Sequence, residues 1–342
     1  MGLIRNLQRH GWLVPYLFGA SPAVCKSFFS GKPTRLESFD ETTYFEPYAT
    51  SLRMGDIGYQ NRREEGLGIK ACYDSLQAYV RSLAAAIDTP APAWEALGVR
   101  VDGEYRQLSA NILQIENEYY STVRPKQVLE GLEKPTRALH RRGIRYIELR
   151  SLDVNAYHPL GVDRPQIRFL EILMLHSVLA PSPAIGLQER WEIDRNFEKV
   201  AHRGRDPDLR LMRQGEGVFL SAWGEALLAA MQPLAEALDA ADPEGGYRET
   251  LAAQRAKLAD PSLTPSAQML AEMAERGEGF YAFANRLAHA HQRYFASREL
   301  APARRQALQA EVERSHHAQQ AIEREPQMPF EDFLAAYQAQ GL

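Results

Sequence analysis

The composition of the chain changes near residue 186, and this change constrains the fold more than any single motif does. Residues 1–185 mix short alternating segments with helical ones, whereas residues 186–342 are rich in Ala, Gln, Glu, Arg and Leu. Strands followed by a long run of helices are typical of α+β proteins. We therefore predict a sheet-bearing catalytic portion over 1–185 and a helical portion over 186–342 that packs on it within one structural unit.

Length, charge and cysteine content limit the classes of function. A chain of 342 residues can bury a substantial core. Its net charge of -4 gives no basic surface of the kind that binds nucleic acid, so we expect no such partner. Two cysteines in this length suggest a reducing compartment. The sequence has no run of eighteen apolar residues and no convincing signal peptide, so we expect no membrane span and a cytoplasmic location.

Local signals predict several elements. Ser75 precedes apolar residues at helical spacing and is a candidate N-cap. Asp102-Gly103 predicts a two-residue hairpin turn. Pro165 opens a helix that is apolar nearly all round and is therefore expected to be buried. Gly277 is a candidate C-cap for the helix before it.

Two segments alternate as strands and carry polar faces. In NILQIENEYY, 111–120, we predict that the even-numbered residues from Gln114 to Tyr120 share one face. In RYIELRSLDV, 145–154, Glu148 and Arg150 lie two residues apart, roughly 7 Å along a strand, and point the same way. A half-exposed antiparallel sheet produces this pattern without any function. The acid and the guanidinium therefore either neutralise each other or bind something together.

Arg124 and Lys126 follow the first of these segments closely and favour a functional interpretation. Carboxylates, cations and tyrosines on neighbouring strand faces suit a magnesium nucleotide and a zwitterionic substrate. The carboxylates would hold Mg²⁺ against phosphate oxygens, and the cations would neutralise charge that moves during phosphoryl transfer.

Four segments resemble a known family. They are GWLVPYLFGASPAVCKSFFSGKPT, YFEPYATSLRMGDIGYQN, NILQIENEYYSTVRPK and IRYIELRSLDVNAYHPLGVDRPQIRFLEILML. In this order they are similar to the proteobacterial type of glutamate–cysteine ligase (gamma-glutamylcysteine synthetase). The resemblance implies a glutamine-synthetase-like curved antiparallel sheet, incomplete here, with a mainly helical C-terminal half. It also implies an ATP- and Mg²⁺-dependent ligase that joins the gamma-carboxylate of L-glutamate to the amine of L-cysteine through gamma-glutamyl phosphate, the first step of glutathione biosynthesis.

The resemblance also implies roles for individual residues. Arg53 matches the arginine that holds the substrate glutamate, and Tyr59 and Tyr120 match tyrosines of the cysteine pocket. Glu148 matches a magnesium ligand, and Arg150 matches the arginine that contacts the transferring phosphoryl group. The cations Arg124 and Lys126 are further candidates for nucleotide binding.

One departure from the family leaves alternatives open. The chain lacks the family's N-terminal third, which carries further acidic metal ligands, and Glu148 alone would hold Mg²⁺ poorly. The chain is therefore either the larger part of an active ligase that needs a missing segment or a second polypeptide, or a truncated, non-catalytic remnant. A related ligase that joins glutamate to a different amine is a third interpretation.

Overall fold

The computed structural model describes residues 1–58 and 70–342 and has the α+β composition that the sequence predicts. The α-helices of this part of the chain are α1 (Gly2–His10), α2 (Leu13–Phe18), α3 (Leu76–Asp88), α4 (Pro92–Leu97), α5 (Pro135–Arg142), α6 (Arg164–Leu179), α7 (Leu187–Arg203), α8 (Leu220–Ala241), α9 (Tyr247–Ala259), α10 (Pro265–Arg276), α11 (Phe280–Ala296), α12 (Pro302–Arg324) and α13 (Phe330–Gln338). Short 3₁₀ helices cover Lys26–Phe29, Leu52–Met54, Glu116–Glu118 and Pro261–Leu263.

The strands are short, and the pairs that they form are antiparallel. They are β1 (Ala23–Cys25), β2 (Glu37–Ser38), β3 (Thr43–Phe45), β4 (Arg100–Val101), β5 (Glu104–Tyr105), β6 (Val123–Lys126), β7 (Tyr146–Leu149), β8 (Arg210–Arg213) and β9 (Glu216–Phe219). β1, β3 and β2 form a three-stranded sheet in that order, and β4–β5, β6–β7 and β8–β9 form two-stranded sheets. The pair β6–β7 is the one that carries the candidate site.

The predicted local signals are confirmed where they depend on neighbouring residues alone. Ser75 caps α3, since its hydroxyl accepts a hydrogen bond from the N–H of Ala78 at 3.0 Å. Asp102 and Gly103 have φ angles of 53° and 86° and form the turn between β4 and β5. Gly277 ends α10 in the left-handed region, with φ of 64°.

The strand predicted over 111–120 is wrong. The segment contains one isolated bridge at Asn111 and then the 3₁₀ helix Glu116–Glu118. The carboxylate of Glu118 accepts the backbone N–H of Gln114 at 2.7 Å, and the buried Glu116 accepts the hydroxyl of Thr136 at 2.5 Å. These side chains bind backbone and neighbouring groups in place of a strand ladder, so the expected shared polar face does not form.

The helix α6 begins with Pro165 in its first turn, as predicted, but it is not buried all round. Phe169, Ile172 and Leu173 have no exposed surface, whereas Ile167 and Val178 are more than half exposed. One face of α6 therefore packs in the core and the other faces outward.

The largest core cluster contains residues from both sides of position 186. Trp12 packs against Trp223 with a distance of 5.2 Å between ring centroids. Phe18, the last residue of α2, makes an edge contact with Phe169 of α6, also at 5.2 Å between ring centroids. The boundary at residue 186 stays a prediction.

Among residues 1–58 and 70–342, no helix combines the length and apolar character needed to cross a membrane.

Candidate active site

The strands β6 and β7 bring the predicted charged residues together. Arg124 lies directly opposite Glu148 in the antiparallel register, and Lys126 lies opposite Tyr146. The N–H of Arg150 donates to the carbonyl of Thr122 at 2.8 Å, so the pairing extends one residue beyond β7. Directly opposed residues share a face of the sheet, and so do residues two apart on one strand.

Glu148 is surrounded by positive charge. Its Oε2 atom lies 3.4 Å from Lys126 Nζ, an ion-pair distance. The same oxygen is buried and accepts no hydrogen bond within the described part of the chain. A buried carboxylate oxygen without a hydrogen bond is costly, so this atom is suited to a further cationic ligand.

Arg124 is the most buried cation of the group, at 5% exposed. Burial, followed by the charge of Arg150, lowers the pKa of Arg124 below its usual value. Its Nε atom has no hydrogen-bond partner among the described residues, and Nη2 reaches the carbonyl of Asn117 only at 3.4 Å. An anion bound here would relieve both the repulsion between the arginines and the missing hydrogen bond.

The ring of Tyr120 lies close to both arginines. The centre of its ring is 5.6 Å from Arg150 Cζ and 6.0 Å from Arg124 Cζ, within the range of cation–π contacts. It is partly exposed and also lines the neighbouring cavity described below. Tyr120 therefore connects the charged strand face with this cavity, although it does not belong to a strand itself.

Arg53, from the 3₁₀ helix Leu52–Met54, reaches the backbone that follows β7. Its Nε donates to Asp153 Oδ1 at 2.6 Å. Its Nη2 donates to the carbonyl oxygens of Arg150 at 3.1 Å and Leu152 at 2.9 Å. The predicted glutamate-binding arginine is thus bonded to the segment that carries the predicted phosphoryl-binding arginine. Tyr59, the other predicted tyrosine, lies outside the described residues.

A cavity of about 350 Å³ adjoins Tyr120 and Met54, the neighbour of Arg53. Lys70 and Asp194, which form an ion pair at 2.5 Å, are part of its wall. Sequence reasoning did not select Lys70, which comes from a separate segment with no periodic pattern. It also missed Asp153. The only feature of the sequence that could have indicated this residue is that a single acid follows a strand.

The described residues provide little for a metal ion. They contain no group of three or more His, Cys, Asp or Glu side chains arranged to hold one. Mg²⁺ is often bound by one or two carboxylates together with phosphate oxygens and water. Glu148, whose Oε2 accepts no hydrogen bond from the described residues, fits a site of that kind.

Comparison with known proteins identifies the family. A family model described as glutamate-cysteine ligase matches residues 1–200. The chain belongs to the glutamate–cysteine ligase family. The resemblance found in the sequence is thereby confirmed.

Members of the glutamate–cysteine ligase family align with nearly the whole chain. The glutamate–cysteine ligase of Azotobacter vinelandii is 47% identical over 339 residues, which are 99% of this chain and 64% of that protein. The one from Pseudomonas paraeruginosa is 46% identical with the same coverage. A crystal structure of glutamate–cysteine ligase from Francisella tularensis in complex with AMP superimposes with a TM-score of 0.88 at 30% identity, covering 98% of this chain and 66% of that one. This chain therefore spans less than two thirds of the length of the curated ligases that it matches.

Proposed function

We propose that this chain carries part of an ATP-dependent ligase that joins the gamma-carboxylate of L-glutamate to the amine of L-cysteine through gamma-glutamyl phosphate. This reaction is the first step of glutathione biosynthesis. Membership of the glutamate–cysteine ligase family supports the reaction class. The observation that carries the proposal is the strand face on which Glu148 and three cations meet. The Francisella tularensis ligase, described in complex with AMP, supports a nucleotide as one ligand.

The three cations act on the triphosphate in this proposal. Arg150 contacts the phosphoryl group that moves from ATP to the glutamate carboxylate, and Arg124 and Lys126 neutralise the remaining phosphate charge. Phosphoryl transfer depends mainly on positioning and on fixed positive charge, which a buried guanidinium supplies without reorganising. Arg124 suits this role because it is buried and lacks a hydrogen bond at Nε within the described structure.

Glu148 is the residue that we propose as a Mg²⁺ ligand, through Oε2, which accepts no hydrogen bond within residues 1–58 and 70–342. Mg²⁺ held by Glu148 would supply positive charge that offsets the charge of the phosphate oxygens. One carboxylate leaves most coordination positions to phosphate oxygens, water or other groups. We therefore propose that a further polypeptide segment or a second chain contributes more carboxylates to the complete enzyme.

The substrates are assigned to the residues beside the phosphate site. Arg53 binds a carboxylate of glutamate, because its partly exposed guanidinium carries a fixed positive charge and lies next to the backbone of Arg150. Tyr120, together with Tyr59 outside the described residues, contacts cysteine. The cavity beside Tyr120 has space for a small amino acid. We expect these small molecules, rather than nucleic acid or a membrane, to be the partners, and we expect the enzyme to work in the cytoplasm.

The test is release of ADP from ATP in the presence of both amino acids. We expect Arg150→Ala to lower turnover by at least about a hundredfold, since it removes a charge that acts on the transferring phosphoryl group. Arg145→Ala is the matched control, because Arg145 is an exposed arginine just before β7, and it should keep the wild-type rate.

Two results would contradict the proposal. One is an unchanged rate in Arg150→Ala. The other is a lack of turnover even when the chain is combined with the additional segment that its longer relatives contain. Nucleotide binding without any turnover would instead support the alternative of a non-catalytic remnant. The motivation for that alternative is that the chain covers 64% of the length of the Azotobacter vinelandii ligase.

A further inference from the structure

Asp153 follows β7, and its buried carboxylate connects three segments of the chain. Oδ1 accepts the hydrogen bond from Arg53 Nε at 2.6 Å. Oδ2 accepts hydrogen bonds from the backbone N–H of Ala20 at 2.8 Å and from the hydroxyl of Ser21 at 2.9 Å. The side chain is only 4% exposed. A carboxylate this buried is stable only with a charge partner and several donors, and Asp153 has both.

The acceptors around Arg53 determine the orientation of its guanidinium. Asp153 binds Nε, while the carbonyl oxygens of Arg150 and Leu152 bind Nη2. A guanidinium is planar and its donors have fixed directions, so acceptors at two of its nitrogens define the plane of the group. The side chain of Arg53 remains 31% exposed. Its orientation is therefore fixed from the buried side while part of it reaches the surface.

The backbone of Arg53 is held by the same network. Leu52 donates its N–H to the carbonyl of Ser21 at 2.7 Å, and the hydroxyls of Ser21 and Ser51 lie 3.2 Å apart. The hydroxyl of Ser21, which donates to Asp153, also accepts the N–H of Arg53 at 3.4 Å. Asp153 thus restrains Arg53 at the guanidinium directly and at the backbone through Ser21.

We propose that Asp153 is a positioning residue for glutamate binding. It holds the guanidinium of Arg53 in the orientation that receives a substrate carboxylate, next to the backbone that carries Arg150. This inference rests on the proposed function, and specifically on the role of Arg53 in binding glutamate. Asp153 itself contacts Arg53 and not the substrate.

The substitution Asp153→Asn changes the hydrogen bonds that orient Arg53 and keeps the size of the side chain at position 153. Asparagine has nearly the same shape, but only one of its two terminal atoms accepts hydrogen bonds. Either Arg53 Nε or the donors from Ala20 and Ser21 then face an NH₂ group. Nucleotide contacts should persist, because the N–H of Arg150 stays bonded to the carbonyl of Thr122 at 2.8 Å.

The experiment measures binding to the full chain by isothermal titration, first with AMP-PNP and Mg²⁺ and then with L-glutamate added to that complex. For Asp153→Asn we expect the glutamate Kd to rise on the order of tenfold and the AMP-PNP Kd to stay within about twofold. Glu192→Gln is the matched control. Glu192 is a buried carboxylate whose partners include the backbone N–H groups of Gln214 and Gly215, so its replacement should leave both constants unchanged.

The outcomes separate this inference from the proposed function. If the wild type does not bind glutamate even when it is combined with the additional segment that its longer relatives contain, both are overturned. If the wild type binds glutamate and Asp153→Asn binds it equally well, or loses both ligands together, only the positioning role is overturned. Should Asp153→Asn fail to fold, Ser21→Ala removes one donor and keeps the carboxylate. It should also weaken glutamate binding selectively, and an unchanged glutamate Kd in that variant would count against the inference.

Discussion

The two carboxylates of the candidate site differ in how many hydrogen bonds the described part of the chain donates to them. Glu148 has an ion-pair partner in Lys126 at 3.4 Å but no hydrogen bond to its buried oxygen within the described part of the chain. Asp153, a few residues further on, accepts three hydrogen bonds. The fully bonded carboxylate is suited to hold a neighbour in place, whereas the incompletely bonded one is suited to a ligand.

At this scale we predict a metal-dependent effect of Glu148→Gln. The Kd for AMP-PNP should rise by about tenfold or more when Mg²⁺ is present, because a metal ligand is lost. In EDTA the Kd should not rise, because glutamine removes a negative charge near the phosphates. Titration calorimetry under both conditions measures this. Glu130→Gln, on the exposed connection after β6, is the control. Equal weakening with and without Mg²⁺ would argue against a ligand role.

Among the elements, α7 is bonded through a histidine to the segments on either side of the 3₁₀ helix that carries Arg53. His202 contacts Glu46 through Nδ1 at 2.7 Å and Asp56 through Nε2 at 3.0 Å. Burial opposes protonation of this ring. The hydrogen bond and charge of Glu46, together with the charges of Asp56 and Glu198, outweigh burial and raise the pKa of His202 above its ordinary 6.5.

This arrangement predicts a pH dependence of stability. A pKa raised by folding means that the folded state binds the proton more tightly than the unfolded state does. The stabilisation is therefore complete below pH 6.5 and is lost as the pH rises through the higher pKa of the folded protein. His202→Gln should lower the free energy of unfolding by on the order of 2 kcal/mol at pH 6, and by less at pH 8.5. Urea unfolding at both pH values measures this, and a pH-independent difference would contradict it.

The whole molecule depends on a core that both portions of the chain share. Trp12 lies just before α2, Phe18 belongs to α2, Phe169 to α6 and Trp223 to α8, and the four rings make two close pairs. Because one cluster contains residues from both sides of position 186, we expect the two portions to unfold together.

For the molecule as a whole we predict one unfolding transition that core substitutions shift as a unit. Phe169→Ala should cost about 3–5 kcal/mol, since it removes a fully buried ring. Ile167→Ala, at an exposed position of the same helix, should stay within about 0.5 kcal/mol. Tryptophan fluorescence and circular dichroism should report the same urea midpoint for each variant. Separate midpoints would show that the portions are independent domains.

The sequence alone predicted features that depend on a few neighbouring residues. The cap at Ser75 and the turn at Asp102-Gly103 involve contacts within three or four positions, so their physics is local. Alternation placed Glu148 and Arg150 on one strand face, and the family blocks indicated the ligase family correctly.

Only the tertiary structure decided the rest. The segment 111–120 alternates like a strand, yet part of it forms a 3₁₀ helix. There Glu116 accepts a hydrogen bond from Thr136, and Glu118 accepts one from the backbone of Gln114. Asp153 and Arg53 lie 100 positions apart, so the residues next to either of them in the sequence do not predict their hydrogen bond. The reason is that the free energy of a buried charge depends on partners that the whole fold assembles, whereas a cap or a tight turn is determined by its own few residues.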